Sequence, residues 1–331
     1  MMKRLTALFL ALTLLLSAAA LAESVEAVET PAPADEQPLS GYIVMLYSSG
    51  TMGDAAGQVF ERAAWAKKRF EELGASVALI DAGGTIAGSP FAEDTRGEAI
   101  ARLLAAAGYD VFVPSAADLT YGDERMGELA ALCPDVQLLY GAALTALIER
   151  DGARFGIVAA GTGTDDERAS AATAAAESLR AQGCDVVIAA LYDGAELTDT
   201  LAQSGAIDVV IDGARSISSD DGKTGALVVG AMGALGCAAI DPEGRCAAML
   251  MTDEWFGSGD VDETVAALKA ELLAAYQAAH PTDAPTDAPT DAPTDAPTDA
   301  PTDAPTDAPT DAPTDAPTDA PTDAPTDKPA A

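Results

Sequence analysis

Between residues 41 and 279, short apolar runs alternate with longer segments whose apolar positions recur every three or four residues. The short runs, bounded by turn residues, predict buried strands, and the three-to-four spacing predicts helices packed by one face. Strands are expected at 42–47, 76–81, 110–114, 136–140, 154–159, 185–191 and 209–212, and helices at 55–73, 96–107, 123–132, 165–182 and 196–204. Val59, Ala63, Ala66, Phe70 and Leu73 form the apolar stripe of the first helix, which stops at Gly74, a residue suited to a helix C-terminus. The last third changes character: 226–229, 235–240 and 245–252 are strand-like with tight turns between them, and an amphipathic helix, 261–279, closes the segment. Helices alternating with strands, then an antiparallel run, predict a layered α/β domain with a mixed sheet. Two sheets packed face to face with helices outside accommodate these elements, and so does one doubly wound sheet; the pattern does not choose.

Both ends depart from this pattern. Met1-Met2-Lys3-Arg4 is a basic start, an apolar run extends from Leu5 to Leu16, and small residues end at Ala20-Leu21-Ala22. That order predicts a secretory signal over residues 1–22, cleaved after Ala22. The apolar run falls short of the ~20 residues of a membrane span, so the mature chain is expected outside the cell, secreted or associated with the wall, with no membrane span. Residues 23–40 read as a Pro/Glu/Ala linker. From Pro281 to Asp327 the chain repeats Pro-Thr-Asp-Ala. A proline every fourth residue forbids helix, and the aspartates add self-repulsion. With no apolar side chain larger than alanine to offset ordering entropy, residues 280–331 are expected to be a disordered acidic tail. It reads as a solvated spacer before it reads as a stalk or a partner's ligand.

Charge and rare residues narrow the chemistry. Fifty-three acidic residues against 18 Lys and Arg leave a formal charge of −35, which disfavours nucleic acid and anionic membranes as partners. None of Cys133, Cys184, Cys237 and Cys246 belongs to a Cys-x-x-Cys pair, so a zinc ribbon is weakly supported. Cys237 and Cys246 flank the turn Asp241-Pro242-Glu243-Gly244 and form either a disulfide or two buried thiols. The single histidine, His280, borders the tail and leaves no base for a nucleophilic triad. Gly161-Thr162-Gly163-Thr164 is either an anion-binding loop lacking the Lys-Ser/Thr of a P-loop or an ordinary strand-to-helix turn. Trp65 and Trp255 read as core or flank residues.

The order of the turns carries a resemblance. Asp81-Ala82-Gly83-Gly84-Thr85-Ile86-Ala87-Gly88-Ser89-Pro90, Gly97-Glu98-Ala99, Gly108-Tyr109-Asp110-Val111 and Tyr121-Gly122 come in sequence. Gly156-Ile157-Val158, Cys184-Asp185-Val186-Val187-Ile188, Ile207-Asp208-Val209-Val210-Ile211-Asp212-Gly213 and Gly230-x-x-Gly233-x-x-Gly236 follow. Together they resemble the catalytic domain of the secreted 5′-nucleotidase branch of the calcineurin-like metallophosphoesterases, over roughly residues 41–240. The resemblance implies a four-layer α/β/β/α sandwich with mixed sheets. It also implies two divalent metals about 3.5–4 Å apart that polarise a phosphate and generate a hydroxide nucleophile.

The donor atoms which that chemistry requires are missing at the matching positions. The family's Asp-x-His after the first strand is Gly50-Thr51-Met52, and its bridging carboxylate position is Gly84. Its Gly-Asn-His-Glu becomes Ser115-Ala116-Ala117-Asp118, with Thr120 at the following aspartate position. The histidine after the next long strand is Tyr192, and Gly-His-x-His becomes Gly213-Ala214-Arg215-Ser216. The resemblance therefore implies degenerate metal-site positions at Gly50, Met52, Gly84, Ala116, Ala117, Tyr192, Ala214 and Ser216, with no catalytic residue, metal or cofactor. A residual pocket is expected from Asp118, Asp193 and Arg215, with the Arg215 charge met in the vacated cavity by one of the two carboxylates. The expected function is a monomeric exported binding or scaffold module with an unidentified ligand or surface partner. The alternatives are a divergent 5′-nucleotidase or phosphoesterase, and an extracellular solute-binding protein, although only one lobe of pattern is visible.

Overall fold

In the segment Ile43–Ser48, Val44 and Leu46 face a layer of helices, while Met45 and Tyr47 face a second sheet. All four are fully buried. A strand buried on both faces reads as a continuous apolar run, and this two-sided burial recurs through the computed structural model, which describes residues 38–51, 53, 57–192, 195–217, 225–257 and 259–281. The expected leader, most of the linker and the repeats lie outside the described residues.

The elements are β1 (Ile43–Ser48), α1 (Val59–Glu72), β2 (Ser76–Asp81), α2 (Pro90–Asp94), α3 (Glu98–Ala106), β3 (Val111–Phe112), a 3-10 turn (Asp118–Tyr121), α4 (Asp123–Leu132) and β4 (Gln137–Leu138). There follow β5 (Thr145–Arg150), β6 (Ala153–Ala159), α5 (Asp165–Ala181), β7 (Val186–Leu191), α6 (Ala195–Ala202) and β8 (Val209–Asp212). The last are β9 (Ser216–Ile217), β10 (Leu227–Ala231), β11 (Leu235–Ile240), β12 (Cys246–Met251) and α7 (Glu263–Ala279). One sheet has the order β12-β11-β1-β2-β3-β4 and the other β5-β6-β7-β8-β10-β9. Both are mixed: β1–β4 run parallel, with β11 antiparallel to β1 and β12 antiparallel to β11, and β6, β7, β8 and β10 run parallel, with β5 and β9 antiparallel at the edges.

Three apolar cores separate four layers. Helices α1, α3, α4 and α7 cover the outer face of the first sheet through residues such as Phe60, Leu103, Leu129 and Val265. Met45, Ile80, Phe155, Ile188 and Val229 meet between the sheets. Ala172, Leu179, Leu197 and Leu201 of α5 and α6 cover the outer face of the second sheet. The doubly wound alternative is thus excluded in favour of the α/β/β/α sandwich.

Most elements fall where the pattern places them; α1 starts at Val59, after the expected 55. Strand β5 was not expected. Asp151 (φ +48°) and Gly152 (φ +89°) turn it into β6, the left-handed pair of a two-residue hairpin. The cysteine question resolves against a disulfide. Cys237 lies opposite Met249 and Cys246 opposite Ile240. Three residues of strand separate the two positions by roughly 10 Å, beyond disulfide reach, and all four cysteines are free. Trp65 packs edge-on against Trp255 and Phe256, at 6.1 Å from each ring, on the flank of the first core. Among the described residues no helix is long and apolar enough to cross a membrane.

Polar ties fasten the layers. Lys269 of α7 pairs with the buried Glu61 of α1 and donates to the Gly57 carbonyl at 2.7 Å. Asp110, buried at the start of β3, accepts from Lys67 Nζ (2.9 Å), the Leu79 N–H (2.9 Å) and Arg150 Nη2 (2.5 Å). Helix α1, the neighbouring strands β2 and β3 of the first sheet and the β5 end of the second therefore share one carboxylate. Asp110→Ala strands a partly buried ammonium and a buried N–H, and is expected to lower unfolding free energy by about 2–4 kcal/mol, read from denaturant midpoints.

Candidate functional site

Because β1–β3 run parallel within one sheet and β6–β8 within the other, each set sends its connecting loops out at its carboxyl end, the usual ligand-binding edge of parallel sheets. The two sets meet. Ser49 Oγ, just after β1, donates to the Gly213 carbonyl just after β8 at 2.9 Å, and the Gly50 N–H donates to the Gly83 carbonyl at 2.7 Å.

Asp118 organises the first-sheet side. Its Oδ2 accepts from the N–H of Gly84 (2.7 Å), the N–H of Ser115 (2.8 Å) and Ser115 Oγ (2.8 Å). Its Oδ1 accepts from the N–H groups of Thr85 (3.1 Å) and Ile86 (2.9 Å). Consecutive N–H groups converging on one point form an anion-binding concavity, and here the anion is the protein's own side chain. The curl that aims them needs left-handed backbone at Gly83 (φ +92°) and Gly84 (φ +68°), where glycine avoids the Cβ penalty.

Tyr192 fills the space between the loop sets. A Cβ on Gly84 would lie 2.7 Å from Tyr192 Cε2, and one on Gly213 would lie 2.8 Å from Tyr192 Cδ2 and 2.4 Å from the Ala82 carbonyl oxygen. The ring therefore rests on two glycines, one from each sheet. Its burial, then the carboxylates of Asp118, Asp212 and Asp81, holds the phenol above its ordinary pKa. On the other side of Gly50, whose φ is +60°, Met232 packs so closely that an added Cβ would lie 2.8 Å from its Cγ.

Behind this layer lies a buried polar chain that sequence reasoning did not single out. Ser48 Oγ donates to Asp81 Oδ2 at 2.6 Å, Tyr109 Oη lies 2.7 Å from Ser48 Oγ, and the Gly83 N–H donates to Asp81 Oδ1 at 3.0 Å. With the Ser48 proton committed to Asp81, the Tyr109 hydroxyl is the donor to Ser48. Burial outweighs these hydrogen bonds and pushes the Asp81 carboxyl up to about 7, with the Asp118 charge adding to the rise. Three polar residues of little individual note, far apart in the chain, gave no local signal.

The expected site residues divide accordingly. Gly50, Gly84, Tyr192 and Ala214 are brought together at the junction of the loops, while Ala116, Ala117 and Ser216 are exposed at its periphery. Met52 and Asp193 lie outside the described residues. Asp118 is not a pocket wall: it is fully buried and engaged by five donors. Of the two carboxylates expected to meet Arg215, Asp118 is engaged by other donors and Asp193 is the one outside the described residues; Arg215 Nη1 approaches Asp212 Oδ2 at 4.0 Å. Asp212 in turn accepts from Thr198 Oγ1 (2.8 Å) and the Ala214 N–H (3.1 Å). Of the two readings of 161–164, the helix turn holds: Thr164 is the N-cap of α5, in a capping box with Glu167. His280 sits at the far end of α7, paired with Asp94 at 3.1 Å and stacked on Tyr276.

A pair of divalent cations of the kind the resemblance implies requires several carboxylate, imidazole or amide donors around one space. Among the described residues no group of three or more His, Cys, Asp or Glu side chains is arranged to hold a metal. Among the described residues, the carboxylates at the junction, Asp81, Asp118 and Asp212, accept from backbone and hydroxyl donors, and an aromatic ring occupies the gap between the glycines. The residues present do not fit the cation pair.

The fold has known counterparts. The chain superposes on Thermus thermophilus sulfate thiohydrolase SoxB in complex with glycerol with a TM-score of 0.59 at 18% identity, covering 74% of this chain and 62% of that one. A 5′-nucleotidase precursor, also from Thermus thermophilus, gives 0.55 at 17% identity, covering 72% and 59%. The calcineurin-like phosphoesterase YfkN from Bacillus subtilis gives 0.54 at 14%, covering 71% and 97%. The chain thus shares the 5′-nucleotidase-type metallophosphoesterase fold, and spans about three fifths of the first two chains. A family described as a PT disordered repeat matches residues 274–307 and 298–331. No curated protein matches the chain.

Two outcomes test the geometry. Gly84→Ala, which adds a left-handed backbone penalty and a collision with the ring, is expected to cost about 2–4 kcal/mol. Combining it with Tyr192→Ala is expected to cost less than the sum of the two single changes by about 1 kcal/mol or more in a double-mutant denaturation cycle. For Asp81, the folded-state pKa lies above the unfolded value, so the unfolded chain releases this proton first and the contribution to stability falls as pH rises from about 4 to about 7. Asp81→Asn is expected to remove that component, so that the stability difference between variant and parent grows in the variant's favour across the same window.

Proposed function

We propose that the chain is an exported, non-catalytic metallophosphoesterase-like protein that acts by binding, as an adaptor or scaffold at the cell surface. The observation that carries this reading is the Tyr192 ring seated on Gly84 and Gly213, where the resemblance calls for donor atoms and open space. Supporting it are the carboxylates Asp81, Asp118 and Asp212, all fully buried and turned to internal hydrogen bonds. Hydroxide generation by a cation pair needs ligands that hold the ions and an open coordination position, and this packing offers neither. In the proposed organisation a cleaved leader (1–22) and a linker (23–40) precede the folded domain (41–279), and an acidic spacer (280–331) follows it. The monomeric state and the surface partner belong to the same proposal.

A second reading, a divergent phosphoesterase working with unfamiliar ligands, is favoured by the names of the structural neighbours: a sulfate thiohydrolase, a 5′-nucleotidase and a phosphoesterase. The two part on one experiment. The full chain is incubated with excess zinc or manganese, desalted, analysed for metal, and assayed with 4-nitrophenyl phosphate and AMP. The expected result is metal well below one ion per chain and no hydrolysis above the blank. Two ions per chain with turnover of either ester would establish the second reading.

A further inference from the structure

Beside the Tyr192 plug, the loops after β3, β4, β6 and β7 enclose a cleft of about 380 Å³, toward the small end of the range for small-molecule sites. Leu119, Leu139, Leu144 and Leu191 give it apolar walls. Tyr140, Tyr192 and Thr162 also line it, and among the described residues their hydroxyls have no hydrogen-bond partner. The Tyr192 phenol is held above its ordinary pKa by burial and then by nearby carboxylates, so it keeps its proton and can donate it in a hydrogen bond.

No charge is left over for a ligand. The chain carries 53 acidic residues, yet among the described residues that line the cleft there is no Asp or Glu, and the charged one is Arg168. Its Nη1 is already paired with Asp165 Oδ1 at 3.3 Å. The first turn of α5 beside it carries Asp165, Asp166 and Glu167, which offset the positive end of the helix dipole. The cleft thus has no unspent cation for an anion and no carboxylate for a cation, and burying a charge without a partner is costly.

From this we infer that the cleft binds a small uncharged molecule with an aromatic body and a hydroxyl group, the body against the leucines and the hydroxyl among those of Tyr140, Tyr192 and Thr162. The inference rests on the binding role proposed above and names the ligand class. The two tyrosine rings favour an aromatic body through edge and offset contacts. A nucleoside, although uncharged, fits less well. The described lining offers no Asn, Gln, Asp or Glu to pair with the edge of a base, and burying those polar edges unpaired is costly.

The test is ligand-detected NMR titration of the full chain in EDTA with 2-phenylethanol and its two charged counterparts, phenylacetate and phenethylamine, alongside adenosine. The alcohol is expected to saturate, and both charged counterparts to bind roughly tenfold more weakly or worse. Tyr140→Phe combined with Tyr192→Phe keeps both rings and removes two hydroxyls that no described residue uses. It is expected to weaken alcohol binding roughly threefold or more with little change in thermal midpoint. The inference is overturned if the alcohol fails to saturate, if either charged counterpart or adenosine binds as tightly, or if the double variant leaves the affinity unchanged. Chelator keeps this result separate from the catalytic question: metal-dependent turnover would sink the non-catalytic reading while leaving the titrations in EDTA as they stand.

Discussion

The loops at the carboxyl ends of the first sheet are held by a carboxylate turned inward. Asp118 collects three consecutive N–H groups from the β2 loop, and the N–H and hydroxyl of Ser115 from the β3 loop. Each of those donors would otherwise be buried without a partner, at a cost comparable to a lost hydrogen bond. With them satisfied, the β2 loop can curl at Gly83 and Gly84, and the curl presents a flat, side-chain-free surface on which Tyr192 can lie. The position of the ring and its closure against Gly213 build on that internal bond set.

Under the non-catalytic reading proposed above, two kinds of filling stand where the resemblance implies one kind of chemistry. Where the resemblance implies ions bridging the two sheets, this chain bridges them with an aromatic ring and with backbone contacts such as Ser49 to Gly213. Packing and hydrogen bonding can hold loops in register as ligation does. The buried Tyr109–Ser48–Asp81 chain fits the same picture: its groups are turned toward each other and carry no reactive edge to solvent.

Much of the sandwich was legible because strands buried on both faces read as uninterrupted apolar runs, as 76–81, 209–212 and 235–240 do. Strand β5 was not, because Thr-Ala-Leu-Ile-Glu-Arg is as compatible with a helix turn as with an edge strand; the Asp-Gly hairpin after it was the available cue. The choice between one sheet and two depended on which face each apolar residue meets, which periodicity does not encode. At the site, the positions that the resemblance assigns to donors could be read one by one. The contacts those positions make could not. Tyr192, Gly84 and Gly213 lie on separate loops, and the contact of ring with glycine exists only once both sheets have formed. For Arg215, of the two carboxylates expected to meet it, Asp118 is saturated by other donors, Asp193 lies outside the described residues, and Asp212, three residues away, lies 4.0 Å from its guanidinium.

The mutual exclusion of a side chain at 84 and a ring at 192 also imposes an order on sequence change. A side chain at position 84 collides with the ring while tyrosine stands at 192, whereas shrinking the tyrosine first leaves a void between two glycines. Each first step is penalised on its own, so the pair behaves as a ratchet: close relatives of this chain should carry both residues or neither.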